Sequence, residues 1–183
     1  VWFLNEAGQL VRVDDGLVLT SPPGLAYKLL SVARDSAGKI WVARDGKLSL
    51  MERGELLAVQ LGTNDVSGYV QGLCASHGGG MWVACDGRIR KWDGKKWSQD
   101  GGSAPWNFQP LTSFVETRNG TLLAGTASDG LFILFPGTDE KPICFNRISG
   151  FQTDWILSLL EDREGNLWVG TGDNGLVSLR PNN

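Results

Sequence analysis

The sequence is poor in the residues that most chemistry requires. It has one histidine, His77, and three cysteines in 183 residues. No HExxH or CxxC spacing occurs, which removes the common zinc sites. No apolar run is long enough to cross a bilayer. Lys and Arg total 17 against 20 Asp and Glu, a net charge of −3. That balance argues against nucleic acid as a partner, where a basic patch would be expected. The stretch Gly165–Leu176 is rich in glycine, yet it lacks the Lys-Ser/Thr of a phosphate loop and leads into a strand, not a helix. No signal peptide begins the chain. Val1 reads as lying inside a strand, so the natural N-terminus is expected upstream.

The remaining candidates for chemistry have plainer readings. His77 falls in a predicted tight turn, away from any core partner. Glu161 and Asp162 are adjacent, and neighbours in a strand point to opposite faces, which argues against a carboxylate pair. Asp162 is read as a turn residue. Asp173-Asn174 matches no EF-hand spacing and reads as a hairpin turn. Cys74 and Cys85 flank one hairpin. If its turn centres between Gly78 and Gly79, Cys74 faces Val83 and Cys85 is a diagonal neighbour, roughly 7–8 Å away. That is long for a disulfide, so buried free thiols are expected. Neither a metal nor a cofactor is expected.

Glycine is abundant, with 25 residues, and tryptophan numbers eight. They recur in register. Gly38-Lys-Ile-Trp-Val-Ala-Arg-Asp-Gly46, Gly79-Gly-Met-Trp-Val-Ala-Cys-Asp-Gly87, Gly120-Thr-Leu-Leu-Ala-Gly-Thr-Ala-Ser-Asp-Gly130 and Gly165-Asn-Leu-Trp-Val-Gly-Thr-Gly-Asp-Asn-Gly175 are copies of one pattern. The slot filled by Trp or Leu falls at 2, 41, 82, 123 and 168, in steps of 39, 41, 41 and 45. Such a period marks a repeat architecture. An apolar run precedes each slot, as in Leu29–Val32, Leu111–Val115 and Ile156–Leu160, and suits a strand buried on both faces. A turn holding Asp35, Asn119 or Asp162 follows. The slot strand then runs to Asp-Gly or Asn-Gly, the strongest short hairpin signal, and on to a third strand. A further turn at Gly54 or Gly94 leads to a fourth.

About 41 residues thus build one four-stranded antiparallel sheet, the blade of a β-propeller. The residue two beyond the slot is small in four units (Ala43, Ala84, Gly125 and Gly170), which leaves room for the slot ring on the same face; the first unit breaks this rule with Leu4. The fold class is all-β: β-propeller repeats, about four and a half blades. The expected division is a partial blade at 1–28, blades at 29–69, 70–110 and 111–155, and a partial blade at 156–183. Aligning Asn5–Gly8 with Asp35–Gly38 instead would give a first step of 30, too short for four strands; Gly8 with Gly46 and Gly16 with Gly54 give 38 at both. An open arc exposes an inter-blade face. The expectation is a piece of a longer propeller, or an arc completed by a second copy of the chain.

Glu161-Asp-Arg-Glu-Gly-Asn-Leu-Trp-Val-Gly-Thr-Gly-Asp-Asn-Gly-Leu176 closely resembles the blade motif of two-component regulator propellers. The units at Trp41 and Trp82 fit but lack the Gly-Thr pair. The unit at Leu123 keeps Gly125-Thr126 and loses the tryptophan. The unit at Trp82 replaces the acidic turn with Ser76-His-Gly-Gly79. The resemblance implies a sensor region of a bacterial transmembrane receptor, on the periplasmic or extracellular side, with any kinase or cyclase outside this chain. It describes structural positions and is silent on ligand.

Individuality lies in the connectors between blades, since loops carry function on a rigid scaffold. They supply Tyr27, Asp65, Tyr69, Trp106, Asn107, Phe108, Asp154 and Trp155 as candidate ligand-binding residues. Aromatic platforms beside carboxylates or amides suit a carbohydrate or peptide ligand; the plainer reading is that the rings pack beneath their loops. The function expected is a non-catalytic sensor or ligand-binding module. The alternatives are a protein-interaction scaffold and, further off, a propeller lyase or glycosidase, which needs convergent carboxylates near the axis.

Overall fold

The computed structural model describes residues 2–4, 10–14, 17–20, 30–44, 47–59, 70–106 and 111–180. These form eighteen strands in five antiparallel sheets, with no helix among the described residues. Blade I holds β1 (Trp2–Leu4), β2 (Leu10–Asp14) and β3 (Leu17–Thr20). Blade II holds β4 (Leu30–Arg34), β5 (Ile40–Arg44), β6 (Lys47–Glu52) and β7 (Glu55–Ala58). Blade III holds β8 (Val70–Ala75), β9 (Met81–Cys85), β10 (Arg88–Trp92) and β11 (Trp97–Ser103). Blade IV holds β12 (Leu111–Glu116), β13 (Leu122–Thr126), β14 (Leu131–Leu134) and β15 (Ile143–Phe145). Blade V holds β16 (Ile156–Glu161), β17 (Leu167–Thr171) and β18 (Leu176–Leu179). Strands follow chain order in every sheet. The all-β partial propeller read from the repeats is the architecture observed.

The turns show why these residues form hairpins. Asp86 and Gly87 both take positive φ, 52° and 70°. That is the two-residue I′ geometry that Asp-Gly favours. Blades IV and V depart from this reading. Their Asp129-Gly130 and Asn174-Gly175 close loops two residues longer, and threonine organises each loop. Thr126 Oγ1 donates to the Gly130 carbonyl at 2.9 Å and accepts from the Asp129 amide at 2.9 Å. Thr171 Oγ1 does the same with Gly175 and Asn174, at 2.8 and 3.0 Å. The Gly-Thr pair absent from blades II and III is therefore the mark of a longer, hydroxyl-closed loop.

The core is a series of layers between blades. Trp41, Ala43 and Leu48 of blade II meet Leu73, Met81, Val83 and Cys85 of blade III. Trp82, Ala84 and Ile89 of blade III meet Phe114, Leu122, Ala124 and Phe132 of blade IV. Leu123 and Leu131 of blade IV meet Ile156, Leu159 and Val169 of blade V. Each slot residue faces the following blade. Trp82 is 1% exposed and Leu123 2%. The slot side chains Trp41, Trp82 and Leu123 are wedges between stacked sheets, whereas the glycines two positions on in blades IV and V make room for Ile156 and Ser158, not for the slot side chain as the sequence reading expects.

The indole N–H groups of Trp41, Trp82 and Trp168 find carboxylate acceptors, whereas those of the buried Trp92 and Trp106 have none among the described residues. Trp41 Nε1 donates to Asp35 Oδ2 at 2.8 Å, and Trp168 Nε1 donates to Asp162 Oδ2 at 2.8 Å. Blade III has no turn acid, and its Trp82 Nε1 donates instead to Glu116 Oε1 of blade IV at 2.8 Å. Asp162 also accepts from the side chain and backbone of Asn166, at 2.9 and 2.8 Å. These bonds, the Asn166 side chain foremost, lower its pKa to about 2.

One sequence expectation fails in detail. The β8–β9 turn centres on Gly78, with Ser76 N bonded to the Gly80 carbonyl at 3.0 Å. Cys74 therefore pairs with Trp82, not Val83. Cys74 and Cys85 consequently lie on opposite faces, in different layers. All three cysteines are free, as read. Burial pushes the Cys74 thiol well up and the Cys85 thiol to about 12, so both stay protonated at neutral pH.

Two outcomes follow from this packing. Trp82→Ala should cost about 3–5 kcal/mol in urea denaturation, and Trp168→Ala distinctly less, because its face is half-open. Asp162 has a folded pKa below its unfolded value of about 3.9. Its contribution is present above that value and is lost as pH falls toward 2. Thermal melts between pH 5 and 2 should therefore show a stability loss that Asp162→Asn flattens.

Candidate functional site

The connector from β15 to β16, residues 146–155, is the best-defined of the irregular links. Asn146 starts it with a tight turn, its amide accepted by Ser149 Oγ at 2.8 Å. The segment then lies across the loops that follow the second strands of blades IV and V. The Gly130 amide donates to the Asp154 carbonyl at 3.0 Å, and the Gly172 amide to the Trp155 carbonyl at 3.0 Å. The two classes of loop thus share one face.

Polar side chains hold this corner. Asp154 Oδ1 accepts from the Arg147 amide at 2.7 Å. The Arg147 guanidinium pairs with Asp173 at 2.5 Å. Thr153, fully buried, donates its hydroxyl to Asp173 Oδ1, and Asn174 donates to Gln152 Oε1. The Trp155 amide donates to Thr153 Oγ1 at 3.0 Å. The indole of Trp155 lies on the Cα of Gly172, where any Cβ would overlap the ring. Trp155 remains 45% exposed. The corner therefore offers a half-open indole beside Asp154 and Asp173, with Arg147 as the nearby cation.

Of the eight candidates from sequence, Asp154 and Trp155 are brought together here. Trp106 is placed otherwise. It is 4% exposed and packs on Phe132 with ring centroids 5.9 Å apart, inside the layer between blades III and IV. Its ring follows the reading in which connector aromatics pack beneath their loops. Tyr27, Asp65, Tyr69, Asn107 and Phe108 lie outside the described residues. Sequence reasoning missed Arg147 and the part played by Asp173. Their only signal is an opposite-charge pair 26 residues apart, which no local pattern reveals.

A concavity lies beside the fourth strand of blade III. A cleft of about 440 Å³ separates β11 from the β14–β15 link, lined by Asp100, Ser103, Pro105, Phe135, Thr138 and Glu140. Asp100 is tied to Arg88 across the blade. Among the described residues no cluster of His, Cys, Asp and Glu is arranged to hold a metal ion, and no helix is long and apolar enough to cross a membrane.

The family model described as "Two component regulator propeller" matches residues 150–173, which run from the connector through the Asp162–Trp168 bond to Asp173. No curated protein matches the chain. Solved structures do. The extracellular domain of a B. thetaiotaomicron protein described as a one component system superposes with a TM-score of 0.72 at 20% identity, over 100% of this chain and 26% of that one. The extracellular domain of a second B. thetaiotaomicron protein, described as a hybrid two component system, gives 0.64 at 20% identity, over 98% and 26%. The WD40 β propeller domain of Doa1 gives 0.64 at 14% identity, over 93% and 56%. The chain spans about a quarter of the length of the first of these. At such identities the likeness establishes the propeller fold, and the family resemblance rests on the matched repeat.

Gly172→Ala should displace the Trp155 ring. In a ¹H–¹⁵N spectrum the Trp155 indole resonance should shift while that of Trp82 stays in place.

Proposed function

We propose that this chain is a non-catalytic, ligand-binding propeller segment of a bacterial signal-transduction receptor, working on the periplasmic or extracellular side of the membrane. The observation that carries the reading is the family match at residues 150–173, because the matched repeat includes the one exposed aromatic corner of the described connectors. The extracellular placement of the similar B. thetaiotaomicron domains supports the compartment. The ligand class is a carbohydrate or a peptide. The Trp155 ring supplies an apolar platform, Asp154 and Asp173 accept hydroxyl or amide hydrogens, and Arg147 offers a cation.

Signalling requires that the ligand favour one arrangement over another. The corner is suited to this because it spans two blades. Residues 146–155 bond to the Gly130 loop of blade IV and the Gly172 loop of blade V. A ligand held by Trp155 and Asp154 therefore bears on the angle between those blades.

A protein-interaction role is the second reading, and β11 favours it. This seven-residue strand is the edge of blade III and borders the 440 Å³ cleft. An exposed edge can accept an added strand from a partner.

Thermal-shift screening with oligosaccharides and short peptides separates the two. A sensor ligand at 100 times its Kd should stabilise by about 2.7 kcal/mol, and Trp155→Ala should abolish the shift. Peptide binding that survives Trp155→Ala would favour the edge strand, and no stabilisation by any candidate would count against ligand sensing.

A further inference from the structure

The cleft beside β11 is bare of side chains where the strand borders it. Gly101 and Gly102 line it from blade III, and Gly137 lines it from the β14–β15 link of blade IV. A Cβ on Gly101 would stand 3.0 Å from the Trp82 ring and 3.1 Å from Ile89, so the core beneath admits no side chain there. Gly102 takes a φ of 92°, with nothing within 4 Å of where a Cβ would stand. At Gly137 a Cβ would stand 3.3 Å from the Gln99 amide nitrogen, so β11 and the link approach closely there. β11 is bonded to β10 on one side and is the edge of its sheet on the other. Alternate residues of such an edge turn their N–H and C=O outward with no strand to receive them. The opposite wall is apolar at Phe135 and Pro142.

The charge of the cleft has one sign. Asp100 and Glu140 line it, and no Lys, Arg or His does so among the described residues. Asp100 is already paired with Arg88. Glu140 forms no ion pair among the described residues, and Asp139 precedes it in the chain. The turn that carries them is held by Thr138, whose hydroxyl donates to the Phe135 carbonyl at 3.0 Å and accepts the Glu140 amide at 3.2 Å.

We propose, resting on the interaction role of the β11 edge, that the cleft receives an extended cationic segment of a partner protein. The segment adds as a fifth strand to blade III and sets a lysine or arginine beside Glu140. A peptide fits because its backbone supplies donors and acceptors in the alternation that an edge strand offers. Small side chains suit the face over Gly101 and Gly102, and an apolar one suits Phe135. The cleft volume of about 440 Å³ has room for side chains of one strand, not for a second sheet. A second copy of this chain fits poorly. Two β11 strands paired antiparallel about their common centre would set Asp100 opposite Asp100, and like charges directly opposite are destabilising. Asp139 and Glu140 would also face a chain whose net charge is −3.

The test is a ¹H–¹⁵N titration of the whole chain with two sets of capped heptapeptides of alternating Thr and Val. One set carries a single Lys and the other a single Glu, scanned through the peptide. The Lys set should move the amides of Gly101, Gly102 and Ser103, leave that of Gly172 beside Trp155 in place, and bind about tenfold more tightly than the Glu set. Glu140→Gln should weaken the Lys peptides about threefold. N-methylation of one of the two alternate sets of peptide amides should abolish binding, which checks strand pairing without altering the protein. Equal affinity of the two sets at β11 overturns the cationic partner and leaves the edge as an interaction surface. No movement of the β11 amides with either set overturns both. Sedimentation should find a monomer, and a dimer whose β11 amides resist hydrogen exchange would overturn the proposal by assigning the edge to a second copy.

Discussion

The constraint on which this structure depends is the placement of an indole between two sheets. At Trp41 and Trp82 the ring lies in the layer beside Ala43 and Ala84, and its N–H finds a carboxylate acceptor. Blades II and V answer with an aspartate in their own turn, and blade III borrows Glu116 from its neighbour. The borrowed bond ties blade III to blade IV, so one local requirement becomes a link between repeats. Blade IV avoids the requirement with leucine at the slot, and its turn residue Asn119 bonds locally to the Thr121 amide.

Much of this was legible because the repeat is periodic. The spacing of Trp41, Trp82, Leu123 and Trp168 gives blade length, and the small residues at 43 and 84 give the face. Glu161 and Asp162 were readable as serving opposite sides, and they do: Asp162 binds its own Trp168, while Glu161 reaches Arg118 of blade IV. The β8–β9 register was misjudged by one residue because the Ser76–Gly80 turn is longer than a two-residue hairpin. That slip moved Cys74 to the wrong face, as a one-residue shift always does. The threonine-closed loops were missed because Asp-Gly reads the same whether it forms the whole turn or only its end.

The candidate site was less legible. Connectors lie outside the repeat, so their side chains have no periodic signal. Trp106 and Trp155 both follow a fourth strand and each has one polar neighbour in the chain, Asn107 and Asp154. One ring is buried on Phe132, and the other rests on Gly172, where the missing side chain leaves it half-open. The difference lies in what each ring meets across the chain.

The junctions between blades are unequal in their polar joints. Blades III and IV, and IV and V, are latched by Glu116 and Glu161, whereas Ala75 at the corresponding place gives blades II and III no such carboxylate. That junction relies on Ser31 and the apolar layer around Trp41. A bending load applied along the arc would be taken up unevenly, with blades III to V moving as a stiff block and most of the yield falling at the seam behind β8.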